Sequence, residues 1–314
     1  MKQLDKQTPF QASVVITTKN RKDDLRKAIT SAVMQSPPVE IIVIDDGSSD
    51  GTSEMVAAEF PTVMRYRSET SLGLIVQRNN AARLVTTNFV FSLDDDAELS
   101  SPHTVAQTII EFDTSGVGAV SIPFIDTYRN IRYGFNLPAD CQSYVDSTYI
   151  GTAHALRADV FRKLGGYREY LYHQGEEDDY CLRMMDAGYF VKCGRADHIL
   201  HHVSAARDLE KIAYFAARNA VLFAWANVPM PYFIAHIFGT TAVNFLSGLR
   251  KGLLWATIKG LVRGYMDIIS SPAKRIPVSL HAYKLSRKIR KQGIMELRRA
   301  EQYLAAGAKD RTRT

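Results

Sequence analysis

Only three cysteines occur, Cys141, Cys181 and Cys193, and no two of them stand at metal-ligand spacing. That scarcity excludes a thiolate metal site and a disulfide framework, and it fits free thiols in a reducing compartment. The N-terminus, Met1 to Gln11, is polar and lacks an apolar core segment, so no signal peptide is expected. No internal repeat and no low-complexity stretch interrupts the chain. From Asn219 to Leu249 there is no Asp, Glu, Lys or Arg. The run is long enough to span a bilayer, but Pro229, Pro231, His236 and Asn244 break and spot it. A buried or interfacial helix is the expectation there.

What is present is ordinary in bulk and uneven in place. The 314 residues are 46% hydrophobic and 23% charged, as in a globular chain of one large domain or two modest ones. The net charge of +6 is concentrated at one end. Arg250 to Thr314 carries 16 Lys+Arg against 4 Asp+Glu, a balance of +12, which leaves −6 for the remainder. A basic tail behind an acidic body suggests an anionic surface as partner, or a solvated helical face. No nucleic-acid-binding motif accompanies the charge, so nucleic acid is not expected. Leu253, Leu254, Trp255, Ile258, Leu261 and Val262 interleave with Lys251, Lys259 and Arg263. This amphipathic pattern suits an anionic bilayer surface or packing on the rest of the protein.

The first hundred residues alternate strand and helix signals. Ser13 to Thr18 and Glu40 to Ile44 read as buried strands, Lys22 to Gln35 as a helix between them. Thr62 to Arg67 and Phe89 to Leu93 read as further strands, with helices up to Phe60 and over Ile75 to Val85. Such alternation implies β-α units in a mostly parallel, doubly wound, Rossmann-like sheet. Beyond it, Val117 to Pro123 reads as a strand, and Ala158 to Leu164 and Asp178 to Ala187 as helices.

Ligands of such sheets sit at the carboxyl ends of strands, and two acidic stations fall there. Asp45-Asp46 opens a dense turn, Gly47 to Thr52. An acid there accepts hydrogen bonds from a base or ribose, or simply closes the turn. Asp94-Asp95-Asp96 ends the fourth strand. Asp94 and Asp96 lie two apart and point to one side of an extended backbone. Like charges so close call for a counter-ion, and oxygen ligands suit Mg²⁺ or Mn²⁺, with a calcium loop or an exposed acidic turn as alternatives. Arg78, on the helix between these stations, can pair with the acids or a diphosphate, or form a surface salt bridge. A third station, Gly175 to Asp179, places four acids at a helix start. The helix dipole favours one or two of them; four suggest a carboxylate presented as general base. His201 and His202 close the series, as metal ligands or as structural histidines.

These stations, in this order, resemble inverting family 2 glycosyltransferases of the GT-A fold. The matching segments are VVITTKNR (14–21), VIDDGSSDGT (43–52), GLIVQRNNA (73–81), FSLDDDAEL (91–99), GTAHALRADVFRKLGGY (151–167), GEEDDYCLRMMDAGY (175–189) and the His201-His202 pair. They cover residues 12–225. The resemblance implies a GT-A domain over 12–225, divided into a nucleotide-binding half (12–100) and an acceptor half (101–225), with an N-terminal tail (1–11) and a basic helical region (226–314). It implies that Thr17, Lys19 and Asp45 line the nucleoside pocket and that Arg78 supports the nucleotide. Asp94 and Asp95 would meet ribose or metal-bound water. Asp96 would ligate the metal with His201, His202 being the alternate ligand. Counting back from Arg183 puts the catalytic base at Glu177, with Asp178 as the other candidate. The implied reaction moves a sugar from a nucleotide-diphosphate sugar to a glycan or lipid-linked acceptor.

The stretch Ala216 to Asn219, followed by the apolar run, is also similar to rhamnosyltransferase-like enzymes of bacterial surface polysaccharides. The chain lacks the QxxRW-type signature of processive synthases. That implies one-sugar transfer at the cytoplasmic membrane face. Two other readings compete. A sugar-phosphate nucleotidyltransferase would carry a Gly-rich basic loop near the N-terminus, where Ile16 to Asp24 has no glycine. A non-catalytic nucleotide-sugar-binding protein would not need every acidic station.

Overall fold

The computed structural model describes residues 11–140, 142–203, 208–270 and 275–311. Cys141 and most of the N-terminal tail lie outside the described residues. Cys181 and Cys193 are free and buried.

Four parallel strands make the first half of the main sheet: β1 (Ala12–Thr18), β2 (Glu40–Asp45), β3 (Met64–Arg67) and β4 (Phe89–Asp94). The helices between them are α1 (Lys22–Val33), α2 (Thr52–Glu59) and α3 (Leu74–Leu84). β1 is apolar on both faces because both are covered. Val14 and Ile16 pack with Leu25 and Ile29 of α1, while Val15 packs with Ile42 and Ala81 on the α3 side. The sheet is therefore doubly wound, as the alternation predicts.

The second half departs from pure β-α repetition. After β5 (Ala97–Leu99) and α4 (Thr104–Ile110) come β6 (Val117–Ser121), β7 (Phe124–Asp126), β8 (Ile131–Tyr133), β9 (Tyr144–Asp146) and β10 (His154–Arg157). Then follow α5 (Ala158–Lys163), α6 (Glu176–Asp186), β11 (Phe190–Cys193) and β12 (Ile199–His201). β10 lies antiparallel between β4 and β6 and joins the two halves. A second sheet, ordered β5-β12-β7-β8, stands beside the first.

The C-terminal region is helical: α7 (Leu209–Asn227), α8 (Tyr232–Arg250), α9 (Leu254–Ser270), α10 (Leu280–Gln292) and α11 (Leu297–Arg311). It is not detached from the rest. A short strand, β13 (Met295–Glu296), pairs with β9 and makes the main sheet nine-stranded, in the order β13-β9-β11-β6-β10-β4-β1-β2-β3. Leu285 and Ile289 of α10 share a core with Met185 of α6 and Val145 of β9. α7 and α9 meet at small residues: a Cβ on Gly260 would run into the Tyr214 carbonyl oxygen. α8 is different. It is long and apolar enough to cross a bilayer by length and composition, with mean hydropathy 1.2, yet little of it is buried in the protein.

Candidate active site

β1 ends beside β4 with Thr17 in register with Asp94, so the end of β1 and the aspartate cluster share one rim of the sheet. Asp94 ends β4, and Asp95 and Asp96 form the turn that follows. Asp94, Asp96 and His201 bring ligand atoms within 4.8 Å of one another. Asp95 accepts instead from Thr18 Oγ1 at 2.8 Å and shares Arg21 Nη1 with Asp96. Burial pushes the Asp95 carboxyl up to about 7, against the pull of Arg21 and Thr18. Burial also works on Asp96, but His201 and Arg21 outweigh it and hold that carboxyl below its ordinary value.

Register explains the choice between the two histidines. β12 runs antiparallel to β5 with His201 opposite Ala97, next to Asp96. His201 Nε2 lies 3.2 Å from Asp96 Oδ1. His202 is one residue on and projects from the opposite face of the strand. Its ring lies between Glu98 at 2.7 Å and Thr127 Oγ1 at 3.0 Å, outside the aspartate trio. Two carboxylates and an imidazole converging this closely suit a divalent cation such as Mn²⁺ or Mg²⁺.

α3 presents an unusually polar buried face. Gln77 donates to Asp46 Oδ1 at 2.6 Å. Asn79 donates to the Tyr167 carbonyl at 2.8 Å and accepts from its amide at 2.9 Å. Between them Arg78 reaches three acids. Its Nη2 lies 2.8 Å from Asp94, and its Nη1 lies 3.0 Å from Glu176 and 3.8 Å from Glu177. Nη2 also donates to the Gly151 carbonyl at 3.3 Å. One positive charge is thus shared among three carboxyl groups.

Glu177 carries the consequence. Burial, with Glu176 alongside, raises its carboxyl to about 8, and the shared Arg78 offsets this only in part. The helix that carries it starts at Gly175, whose φ of 82° is a glycine conformation, after Tyr172 and Gln174 at φ 60° and 67°. Three backbone carbonyls of that turn, those of Leu171, His173 and Gln174, accept from the Asn219 amide of α7. Gly151 faces Glu177 so closely that a Cβ there would lie 2.5 Å from Oε1. Asp178, the other candidate base, is paired instead with Arg290 of α10 at 2.7 Å.

Two cavities flank this arrangement and share no lining residue. One, of about 480 Å³, is walled by Thr17, Lys19, Asp46 and the three aspartates, with His201 and Lys211 at its edge. The other, of about 580 Å³, has Gly151, Glu177 and Asp178 in its wall. Asp45 reaches neither. It is fully buried in its own turn, where it accepts from the Ser48 amide at 2.8 Å and Ser53 Oγ at 2.6 Å. The next residue, Asp46, faces the first cavity. Four donors, led by Ser71 and Gln77, overcome the effect of burial and keep its carboxyl low. Arg21, Lys211 and Asn219 are therefore additions to the residues expected from the motifs, and within the expected Asp45-Asp46 station it is Asp46 that faces the cavity. Asp46 and Arg21 lay within the quoted segments, one position from expected ones or at a segment's end.

The fold is that of the GT-A glycosyltransferases. The mannosyltransferase PcManGT of Pyrobaculum calidifontis, solved in complex with GDP-Man and Mn²⁺, superposes with a TM-score of 0.57 at 18% identity, over 95% of this chain and 86% of that one. Residues 13–165 match the family described as Glycosyl transferase family 2. That match takes in just under half of the chain and is to a family of glycosyltransferases. Among curated proteins, the succinoglycan biosynthesis protein ExoU of Rhizobium meliloti is 29% identical over 156 residues, 49% of this chain and 39% of ExoU. The O-antigen biosynthesis protein RfbC of Myxococcus xanthus is 22% identical over 227 residues, 64% of this chain and 18% of RfbC. The chain thus spans well under half the length of these two relatives.

Proposed function

We propose that the protein is a metal-dependent, inverting glycosyltransferase that moves one sugar from a nucleotide-diphosphate sugar to a hydroxyl of a glycan or lipid-linked acceptor, in bacterial envelope polysaccharide synthesis. The observation that carries this reading is the bridge made by Arg78. It ties the acidic trio at the donor cavity to a raised carboxylate in the wall of a separate cavity. The relatives named for succinoglycan and O-antigen synthesis support the polysaccharide assignment.

In this reading Asp94, Asp96 and His201 would hold a divalent ion, Mg²⁺ or Mn²⁺, which would supply positive charge to offset that of a departing diphosphate. Thr17, Lys19, Asp46 and Lys211 would line the nucleotide cavity. Asp95, anchored by Thr18, fixes the turn that carries both ligand aspartates. Glu177 takes the proton from the acceptor hydroxyl, whose oxygen attacks the anomeric carbon from the face opposite the diphosphate. The C–O bond forms as the bond to the phosphate oxygen breaks, and the configuration inverts in one displacement. Asp178 is assigned the pairing with Arg290 rather than the proton. The test is transfer by Asp96→Ala and Glu177→Gln in the folded protein: both are expected to be inactive, and full transfer by either one overturns its assignment.

We further propose that the protein sits at the inner face of the cell membrane. α8 and α9 expose Phe238 at 68%, Trp255 at 68% and Ile269 at 82%. Lys259 lies 5.5 Å above the Trp255 ring, and Arg250 and Lys251 stand exposed at the helix junction. Apolar side chains flanked by lysine and arginine match an anionic bilayer surface.

A further inference from the structure

We propose that Arg290, supplied by α10 from outside the matched family segment, is a specificity-determining residue of the acceptor cavity, and that this cavity takes an uncharged, hydroxyl-rich sugar. The inference rests on the reading of Glu177 as the base.

The geometry begins with what surrounds Glu177. Its own helix supplies Glu176 and Asp178, α3 supplies Arg78, and the cavity wall adds Asp146 and Arg290. Arg78 is committed to Asp94 and Glu176 as well as to Glu177. The cavity itself therefore presents three carboxyl groups, Asp146, Glu177 and Asp178, and one guanidinium. That guanidinium is already paired, Arg290 Nη2 lying 2.7 Å from Asp178 Oδ1. Both partners are substantially solvent-exposed, so the pair adds little to folding stability. Its effect falls on what enters the cavity.

Among the described residues of this wall no unpaired cation is left to receive a carboxylate, phosphate or sulfate, and the single guanidinium stands with Asp178, Asp146 and the proton-holding Glu177. Hydroxyls meet partners of both kinds. The carboxyl groups accept, while the N–H groups of Arg290 not directed at Asp178 donate. Ile150, half exposed beside them, offers an apolar surface for the C–H face of a sugar ring. Arg290 also screens Asp178 from Glu177. Without that screening, the extra negative charge holds the proton on Glu177 to higher pH.

The experiment uses the full chain with Mn²⁺. Release of nucleoside diphosphate from a panel of UDP-, GDP- and TDP-sugars comes first; release from none of them removes the glycosyltransferase reading itself. With the donor so found, alkyl glycosides of neutral hexoses are compared with the matching hexuronates. The neutral members are expected to be used with at least about tenfold higher kcat/KM. Arg290→Gln is expected to raise the acceptor KM about tenfold while kcat changes less, and to move the pH midpoint upward, with Arg290→Lys restoring the midpoint. Equal use of hexuronates, transfer to no neutral member, or an Arg290→Gln enzyme with unchanged KM and midpoint overturns the proposal. Should that variant fail to fold, Asp178→Asn breaks the same pair from the other side. Its midpoint is expected to move downward, and a midpoint that stays in place is an overturning result.

Discussion

Arg78 Nη1 stands 3.0 Å from Glu176 Oε1, and neither side chain keeps more than 5% of its surface exposed. A charge pair this deeply buried is costly to break from one side, because the surviving charge has no water to turn to.

Arg78→Met is therefore expected to cost about 3–5 kcal/mol of folding stability, read by urea denaturation. It should also lose catalysis, since Asp94 and Glu177 lean on the same guanidinium. A loss below 1 kcal/mol would mean that Glu176 finds another partner or stays protonated.

Glu177 gives a pH signature with a definite sign. Its native carboxyl titrates near 8, against 4.5 as the ordinary value. Between these two values the native state holds a proton that the unfolded chain has released, so stability falls as pH rises through that window. Glu177→Gln never ionises. Above pH 8 it is expected to be more stable than the parent by roughly 1–3 kcal/mol, and to converge with it near pH 4.5. Transfer by the parent should climb with pH and level off above about 8. A Gln variant that is less stable at pH 9 contradicts the burial of this charge.

The two histidines should separate cleanly in metal binding. By Mn²⁺ titration calorimetry, Asp96→Asn and His201→Ala are expected to weaken binding by about 10–100-fold. His202→Ala should bind as the parent does, because that ring is held by Glu98 and Thr127. Chelation with EDTA should stop transfer, and added Mn²⁺ should restore it. Equal losses for both histidines would assign the ligand set wrongly.

Membrane attachment is read by flotation with anionic vesicles. The triple variant Phe238→Ser, Leu246→Ser and Ile269→Ser removes exposed apolar side chains of α8 and α9 and is expected to stay in the dense fraction. The parent should float, less so at high salt, since the basic residues act through a screened field. Equal flotation of the two proteins excludes this surface.

The strand and helix alternation of the first hundred residues was legible because each element has its own period and a buried face on both sides of the sheet. The two-residue repeat of a strand predicts that Asp94 and Asp96 meet; they do meet, but across the turn that follows β4. What was not legible depended on pairing between distant segments. His201 and His202 differ only through the register of β12 on β5. Asp45 and Asp46 are adjacent acids, and which one faces the cavity depends on Ser48 and Ser53 closing the turn around Asp45. Gln77 and Asn79 read as a polar helix surface until α3 is packed against the site. Arg290 and Asn219 lie 112 and 42 residues beyond Asp178 and Glu177, and no local pattern joins them to the site. The antiparallel β10 and the added β13 likewise carry no local signature that distinguishes them from parallel strands.

β10 has a consequence for how such a protein diversifies. It is stitched to β4 on one side and β6 on the other, so the segment carrying the donor aspartates and the segment leading to Gly151 belong to one continuous hydrogen-bonded lattice. The separation between the acidic trio and Gly151 is then held by backbone ladders, and a side-chain substitution in either cavity leaves that separation in place.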